Sequence, residues 1–359
     1  MNAKNLAVLG TVAVVLGVAA YFSTSGRKIG SQSLNGKSVL KAFDIADVES
    51  VEIKGGKNLV VSAGEKGWTI ASMFGYPADS GKIRENLMKL ADLKVGQVAS
   101  GVKLDSPAIV TLKGAKGAEI ASLPLGGEHM RKSPGQGGMP GGGYPDGRYV
   151  GFGDKVVLVK DTLDAFDGDP KKWCNTRIAS VPSSDVREVT FASGGKTAKL
   201  VRKDSSWTLE GLGADEEFDS SKAYSLDSAL SYLDFDSVAD PAKADTFGFA
   251  TGAVYTATLK NGETYVAKVG DASGSQRYLQ LSASFKPVGT NATENAASEK
   301  KVAEFNSTVG KWTYLVASYS AESLSKKRSD FVKEKKKEEP KKDDAAAAKK
   351  PAEKKPAAK

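Results

Sequence analysis

Asp47-Val48-Glu49-Ser50-Val51-Glu52-Ile53 and Asp185-Val186-Arg187-Glu188-Val189-Thr190-Phe191 follow one pattern. Each opens on Asp-Val and carries an apolar pair two residues apart, Val51/Ile53 and Val189/Phe191. That is the period of a half-buried strand. A glycine turn follows in both, Gly55-Gly56 and Gly194-Gly195. A second apolar strand then reaches Gly67-Trp68-Thr69-Ile70 in one and Ser206-Trp207-Thr208-Leu209 in the other, which is the grammar of a hairpin twice over. The matched tryptophans, Trp68 and Trp207, read as core residues rather than as a binding platform.

Outward from these hairpins the correspondence continues. Asp79 precedes Ile83, Leu87 and Leu90, and Asp219 precedes Ala223, Leu226, Leu230 and Leu233. Both stripes predict a helix laid on a sheet, with the Asp accepting from the unpaired N–H groups of the first turn. Another hairpin follows each. Ile109–Leu112 turns through Gly114 to Gly117, and Tyr255–Leu259 turns through Asn261-Gly262, a type I′ signal. The return strands end on Gly126 and Gly270, and Arg148-Tyr149-Val150 matches Arg277-Tyr278-Leu279. The order strand, strand, helix, strand, strand, strand in both copies predicts an α+β fold of two tandem repeats, each a mainly antiparallel sheet with one packed helix. The second unit is closed by the segment 302–332, which holds Phe305, Trp312, Leu315 and Val316.

Gly126 joins Arg148 through 22 positions in the first copy, where Gly270 reaches Arg277 in seven. The excess is a glycine-rich insertion, GGEHMRKSPGQGGMPGGGYPDG, with nine glycines over 126–147. No Lys-Ser/Thr follows a glycine at phosphate-loop spacing, so it is not a nucleotide cradle. It reads as a solvated loop or, in the sharper reading, as an adaptable partner-contact loop whose handles are His129, Met130, Arg131, Met139 and Tyr144. Ser193-Gly194-Gly195-Lys196-Thr197 resembles the end of a Walker A loop. The first glycine that loop needs falls at Thr190, inside a strand, so the segment is a hairpin turn.

The 359 residues include one His and one Cys. That excludes a disulfide framework, a Cys-rich zinc or iron–sulfur site and a His-rich metal site. It leaves no imidazole for nucleophilic catalysis beyond His129. No catalytic constellation, metal site or cofactor is legible. The net charge of +8 is concentrated at one end: Lys326–Lys359 holds 14 Lys+Arg against 7 Asp+Glu, leaving 37 against 36 in the rest. A nearly neutral body does not suit nucleic acid. The Lys/Ala/Pro/Glu-rich segment 326–359 is expected to be a disordered tail, either solubilising or reaching an acidic envelope polymer or anionic lipid.

At the other end Leu6–Phe22, LAVLGTVAVVLGVAAYF, is charge-free and almost wholly apolar. Its 17 residues span about 26 Å as a helix, enough for a marginal membrane crossing. A signal-anchor transmembrane helix over 1–26 is the first reading. A cleaved signal peptide with Val18 and Ala20 before the cut is the second, and a buried soluble helix the third. Lys4 before the span and Arg27-Lys28 after it leave the charge rule nearly tied. The expected arrangement is a single-pass inner-membrane protein with its bulk on the periplasmic side. A linker over 27–43, a first unit over 44–172 and a second over 173–325 complete the expected organisation.

Taken together and in order, these features resemble the family of domains of unknown function numbered 4340. The resemblance rests on the apolar N-terminal segment, Asp47–Val51, Gly67-Trp68, Pro77-Ala78-Asp79, Leu125-Gly126 and Arg148-Tyr149-Val150, and it covers roughly residues 44–280. Of the family's Gly-Leu-x-x-Pro segment, Leu104-Asp105-Ser106-Pro107 retains only the Leu and Pro, while Phe247-Gly248-Phe249 keeps it better. The resemblance implies a membrane-anchored auxiliary component of ABC-type transport systems linked to gliding motility, with protein partners in a transport complex and no catalytic residues. The expected function is therefore a non-enzymatic envelope scaffold. The alternatives are a periplasmic ligand- or polymer-binding module and a carboxylate-dependent hydrolase, which would need two acids converging in a cleft.

Overall fold

A computed structural model describes residues 34–132, 143–204, 206–223 and 226–334. The chain divides into two compact units, Met1–Asn175 and Thr176–Lys359. The expected anchor over 1–26 and most of the tail lie outside the described residues, among which no helix is long and apolar enough to cross a membrane.

Unit one is a nine-stranded antiparallel sheet. In chain order its strands are β1 (Ser50–Lys54), β2 (Leu59–Gly64), β3 (Gly67–Ile70), β4 (Tyr76–Pro77), β5 (Gln97–Val98), β6 (Ala108–Lys113), β7 (Glu119–Lys132), β8 (Gly143–Phe152) and β9 (Lys155–Val159). In space they run β4-β3-β2-β1-β6-β7-β8-β9-β5. Alternate residues are buried along the strands, Val51 and Ile53 on β1 and Val110 and Leu112 on β6, as one covered face requires. Helix α1 (Ser80–Ala91) contributes Ile83, Leu87 and Leu90 to the core, and Asp79 Oδ1 caps it by accepting from Gly81 N at 2.8 Å and Lys82 N at 3.1 Å. Trp173, fully buried, closes the unit with its ring edge on Phe166 and its Nε1–H donated to Ala165 O at 2.9 Å. Residues 34–43, expected as linker, are tied down: Gly36 N donates to Val95 O and Val39 N to Leu93 O, each at 2.8 Å.

Unit two holds an eight-stranded antiparallel sheet. Short β10 (Arg177–Ala179) precedes β11 (Val186–Ser193), β12 (Lys196–Lys203) and β13 (Ser206–Leu209). Then come β14 (Glu216–Phe218), β15 (Leu233–Asp234), β16 (Ser237–Val238), β17 (Ala253–Leu259), β18 (Glu263–Ser273) and β19 (Gln276–Phe285). Helix α2 (Ala292–Thr308), β20 (Thr313–Ala317), α3 (Ser318–Ser323) and β21 (Val332–Glu334) complete it. The sheet order is β13-β12-β11-β17-β18-β19-β20-β16, while β10 pairs with β15 and β14 with β21. The run β13-β12-β11-β17-β18-β19 follows the same order as β3-β2-β1-β6-β7-β8. Gly194 and Gly195, at φ of 57° and 74°, form the two-residue turn between Ser193 and Lys196, the type I′ geometry. Beyond the end of β20, Asn306 of α2 takes the place of a neighbouring strand, donating to Ala283 O at 2.7 Å and accepting from Ala283 N at 2.8 Å.

Four expectations are corrected. The helix expected after Asp219 is a single 3₁₀ turn, Ser220–Ala223, followed by turns over 226–231. Leu226, Leu230 and Leu233 are buried as the stripe required, but the segment carries five serines between 219 and 233. Serine hydroxyls compete for backbone groups, and Ser231 Oγ donates to Val181 O at 2.8 Å. The Asn261-Gly262 turn is not type I′, because only Gly262 has positive φ; Gly262 N closes it onto Leu259 O at 3.1 Å. Trp68 and Trp207 are half-exposed, and the buried tryptophan is Trp173. Residues 326–334, assigned to the tail on composition, belong to unit two: Phe331 is fully buried and β21 pairs with β14.

Candidate functional site

Both long hairpins break at the same point. The β7–β8 register shifts between Leu125 and Glu128, and the β18–β19 register between Val269 and Ala272. Each bulge holds a glycine that no other residue can replace without movement. A Cβ on Gly126 would collide with the Leu104 side chain and the Tyr149 carbonyl, and one on Gly270 with Phe247 O, the Phe249 ring and Tyr278. An arginine from the facing strand clamps each bulge. Arg148 Nε donates to Gly126 O at 2.8 Å and Arg277 Nε to Gly270 O at 3.2 Å. Arg148, 8% exposed, also donates from Nη1 to Thr162 O at 3.1 Å and from Nη2 to Asp167 Oδ1 at 2.5 Å.

Beyond its bulge the first hairpin leaves the sheet. Neighbouring β6 pairs with β7 only as far as Leu125, and β9 pairs with β8 only from Arg148 onward. Among the described residues, 129–132 and 143–147 therefore pair with each other and with no other strand, His129 opposite Gly147, Met130 opposite Pro145 and Arg131 opposite Tyr144. The described part of the expected glycine-rich loop is thus a two-stranded ribbon whose outer edges pair with no other strand among the described residues. Met139 and the rest of 133–142 lie outside the described residues.

The ribbon brings the other four sequence-flagged residues together. His129 Nδ1 and Asp146 Oδ1 lie 2.5 Å apart, with the imidazole N–H donating to the carboxylate, and the ring stands edge-on to Tyr149 at 5.7 Å. Arg131 Nη1 approaches the other Asp146 oxygen at 4.0 Å. Met130 and Tyr144 are 52% and 49% exposed. These cross-strand contacts stiffen the ribbon and leave an aromatic ring and a thioether facing solvent.

Elsewhere polar side chains are spent on structure. Arg202 lies over the Trp207 ring at 5.1 Å and pairs with Asp227 at 2.6 Å. Glu263, 2% exposed, accepts from Lys301 Nζ and Tyr265 OH, each at 2.8 Å, and from Asn261 Nδ2 at 2.9 Å. Its burial favours the neutral acid, but these donors outweigh it and hold the carboxyl below the usual range. Glu52, Glu216 and Asp219 are also lowered, chiefly by hydrogen bonds from Lys113, Gly213 N–H and Ser221 respectively. Among the described residues no group of three or more His, Cys, Asp or Glu is arranged to hold a metal ion. Sequence reasoning missed the Arg148–Asp167 and Glu263–Lys301 pairs. The available signal was a charged residue directly before an apolar pair, Arg148 before Tyr149-Val150.

No curated protein and no solved structure matches the chain. A family model does match, over 138–252, a span that takes in β8 with Arg148, the strands β11 to β13 and Gly252 just before β17. That span carries the family model described as a domain of unknown function, DUF4340, the family that the order of motifs resembles.

Proposed function

We propose that the chain is a non-enzymatic envelope protein, held in the inner membrane by a single N-terminal helix, with its bulk on the periplasmic side. It serves as an accessory or scaffold of an ABC-type transport assembly. The two units are tandem copies of one fold, and the β7–β8 ribbon of the first copy is the contact element for a protein partner. The charge-free run Leu6–Phe22 supports the anchor. The shared strand order and the paired arginine–glycine clamps support the repeat. The basic tail reaches acidic envelope polymer or anionic lipid. The observation that carries the contact role is the ribbon, whose two edges are unpaired among the described residues, with exposed Met130 and Tyr144. Unpaired strand edges accept partner strands, and soluble proteins ordinarily cover them.

The test is photo-crosslinking in intact membranes. A photoreactive residue at Tyr144 is expected to capture a protein, while the same group at Tyr319, 77% exposed in unit two, captures little. Equal capture at both positions, or none at Tyr144, would remove the ribbon from the interface. Carbonate extraction tests the anchor separately: the chain is expected in the pellet, and a soluble chain starting near Tyr21 would overturn it.

A further inference from the structure

Helix α1 and the segment 161–172 border a cleft of about 220 Å3 in unit one. Its wall carries three ammonium groups, Lys82, Lys89 and Lys172, and three carboxylates, Glu85, Asp161 and Asp164. Asn86 of α1 stands among them, 5% exposed, and its Nδ2 is the one buried side-chain nitrogen or oxygen without a hydrogen-bond partner among the described residues. Buried polar groups are almost always paired, so an orphaned amide in the wall of a cleft calls for an acceptor that enters from outside.

Most of these charges are already spent. Lys82 Nζ donates to Cys174 O at 2.6 Å, Lys89 pairs with Glu85 at 2.9 Å, and Asp161 Oδ1 accepts from Leu163 N at 2.8 Å. Lys172 and Asp164, both exposed, make no side-chain hydrogen bond or ion pair among the described residues. The two walls sense each other: the Lys89 ammonium is held above its usual range chiefly by the Glu85 hydrogen bond, and further by Asp161 and Asp164 across the cleft. The loop wall is also fixed. Leu163 holds a φ of 54°, which a residue other than glycine keeps only where its neighbours over-determine it. Here Asp161 binds its N–H, and Arg148 binds the preceding carbonyl, Thr162 O.

What remains free is one amide donor, one ammonium and one carboxylate. A small anion would be repelled by Asp164 and a small cation by Lys172. A molecule that carries both charges satisfies both at once. Small-molecule clefts run to roughly 300–1,000 Å3. A cleft of about 220 Å3 therefore admits little beyond the charged groups themselves. We propose that this cleft binds a free α-amino acid, its carboxylate accepting from Asn86 Nδ2 and Lys172 and its ammonium donating to Asp164. The site lies wholly within unit one and is independent of both the anchor and the ribbon.

The test dialyses the full chain, in detergent micelles, to equilibrium against the proteinogenic L-amino acids in equal parts, and chromatography measures what the protein retains. Retention of one amino acid, or of a chemically related few, is the expected result. Lys172→Ala and Asp164→Ala should each reduce it by roughly tenfold, the ratio for losing one hydrogen bond to a charged group. Both positions are exposed, so folding should survive, and an unchanged circular-dichroism melt verifies it. Acetate and ethylammonium, which carry one charge each, should fail to displace the retained amino acid at equal concentration. Asn86→Leu should abolish retention while leaving the melt unchanged or higher, because an apolar side chain of similar size removes the cost of the orphaned donor. No retention of any amino acid, retention indifferent to Lys172→Ala and Asp164→Ala, displacement by acetate or by ethylammonium alone, or an Asn86→Leu chain that still retains the amino acid would each overturn the proposal.

Discussion

Arg148 Nε reaches the Gly126 carbonyl at 2.8 Å, and that bond marks where β7 parts from β6 and the ribbon begins. The same guanidinium satisfies Thr162 O, so two backbone carbonyls depend on one side chain. Arg148→Ala is expected to cost about 1–3 kcal/mol for each carbonyl left without a donor. Arg277 is half-exposed and its bond to Gly270 O, at 3.2 Å, is longer, so Arg277→Ala should cost clearly less. Urea unfolding midpoints of the two variants check the ranking, and equal losses would refute the clamp account of unit one.

The tryptophans give a second ranking. Trp173→Ala empties a fully buried site and should cost about 3–5 kcal/mol. Trp68→Ala removes a half-exposed ring from β3 and should cost a fraction of that. Thermal unfolding reads both; an inverted order would return Trp68 to the core.

Glu263 makes unit two sensitive to acid. Burial raises its carboxyl pKa, but Lys301, Tyr265 and Asn261 together lower it below the usual value. A carboxylate with a depressed folded pKa contributes stability that is fully present above the unfolded pKa and is lost as pH falls through the folded one. Denaturant midpoints should therefore be flat near neutrality with respect to this group and fall below about pH 4.5. Glu263→Gln should lower the neutral midpoint and flatten its share of the acid limb. An acid limb of unchanged steepness would place the sensitivity elsewhere.

Cys174 is fully buried, and burial pushes its thiol up to about 11. The thiolate is the reactive form, so alkylation at pH 8 should be slow in the native protein and fast once unit one opens. A native thiol that reacts at the rate of a free cysteine would contradict this packing.

The hairpins and α1 were legible because they are local. Strand alternation, Gly194-Gly195 and the Asp79 cap each act within a few residues. The failures are places where the deciding partner lies far along the chain. The stripe after Asp219 is legible as buried but its lack of a helix is not, since Ser231 Oγ donates to Val181 O, 50 residues away. Phe331 stands in a lysine-rich segment, yet one buried aromatic just before β21 outweighs the flanking charge once β14 pairs with that strand. The ribbon was hidden because glycine content signals freedom, whereas Asp146 and Tyr149 give His129 fixed neighbours across the strand pair.

The central claim is that the ribbon serves contact rather than folding. Replacing Glu128–Asp146 with a short Gly-Ser turn removes residues whose strand pairing stays within the β7–β8 hairpin, and shortening the connection changes closure entropy by only about 0.6 kcal/mol per halving of length. Gradient sedimentation of gently solubilised membranes, with unfolding measured on the same protein, tests this directly. The account predicts that the full chain migrates with a larger assembly, and that the shortened chain migrates at its own size with its unfolding midpoint unchanged. A shortened chain that keeps its place in the assembly, or that no longer folds, would contradict it.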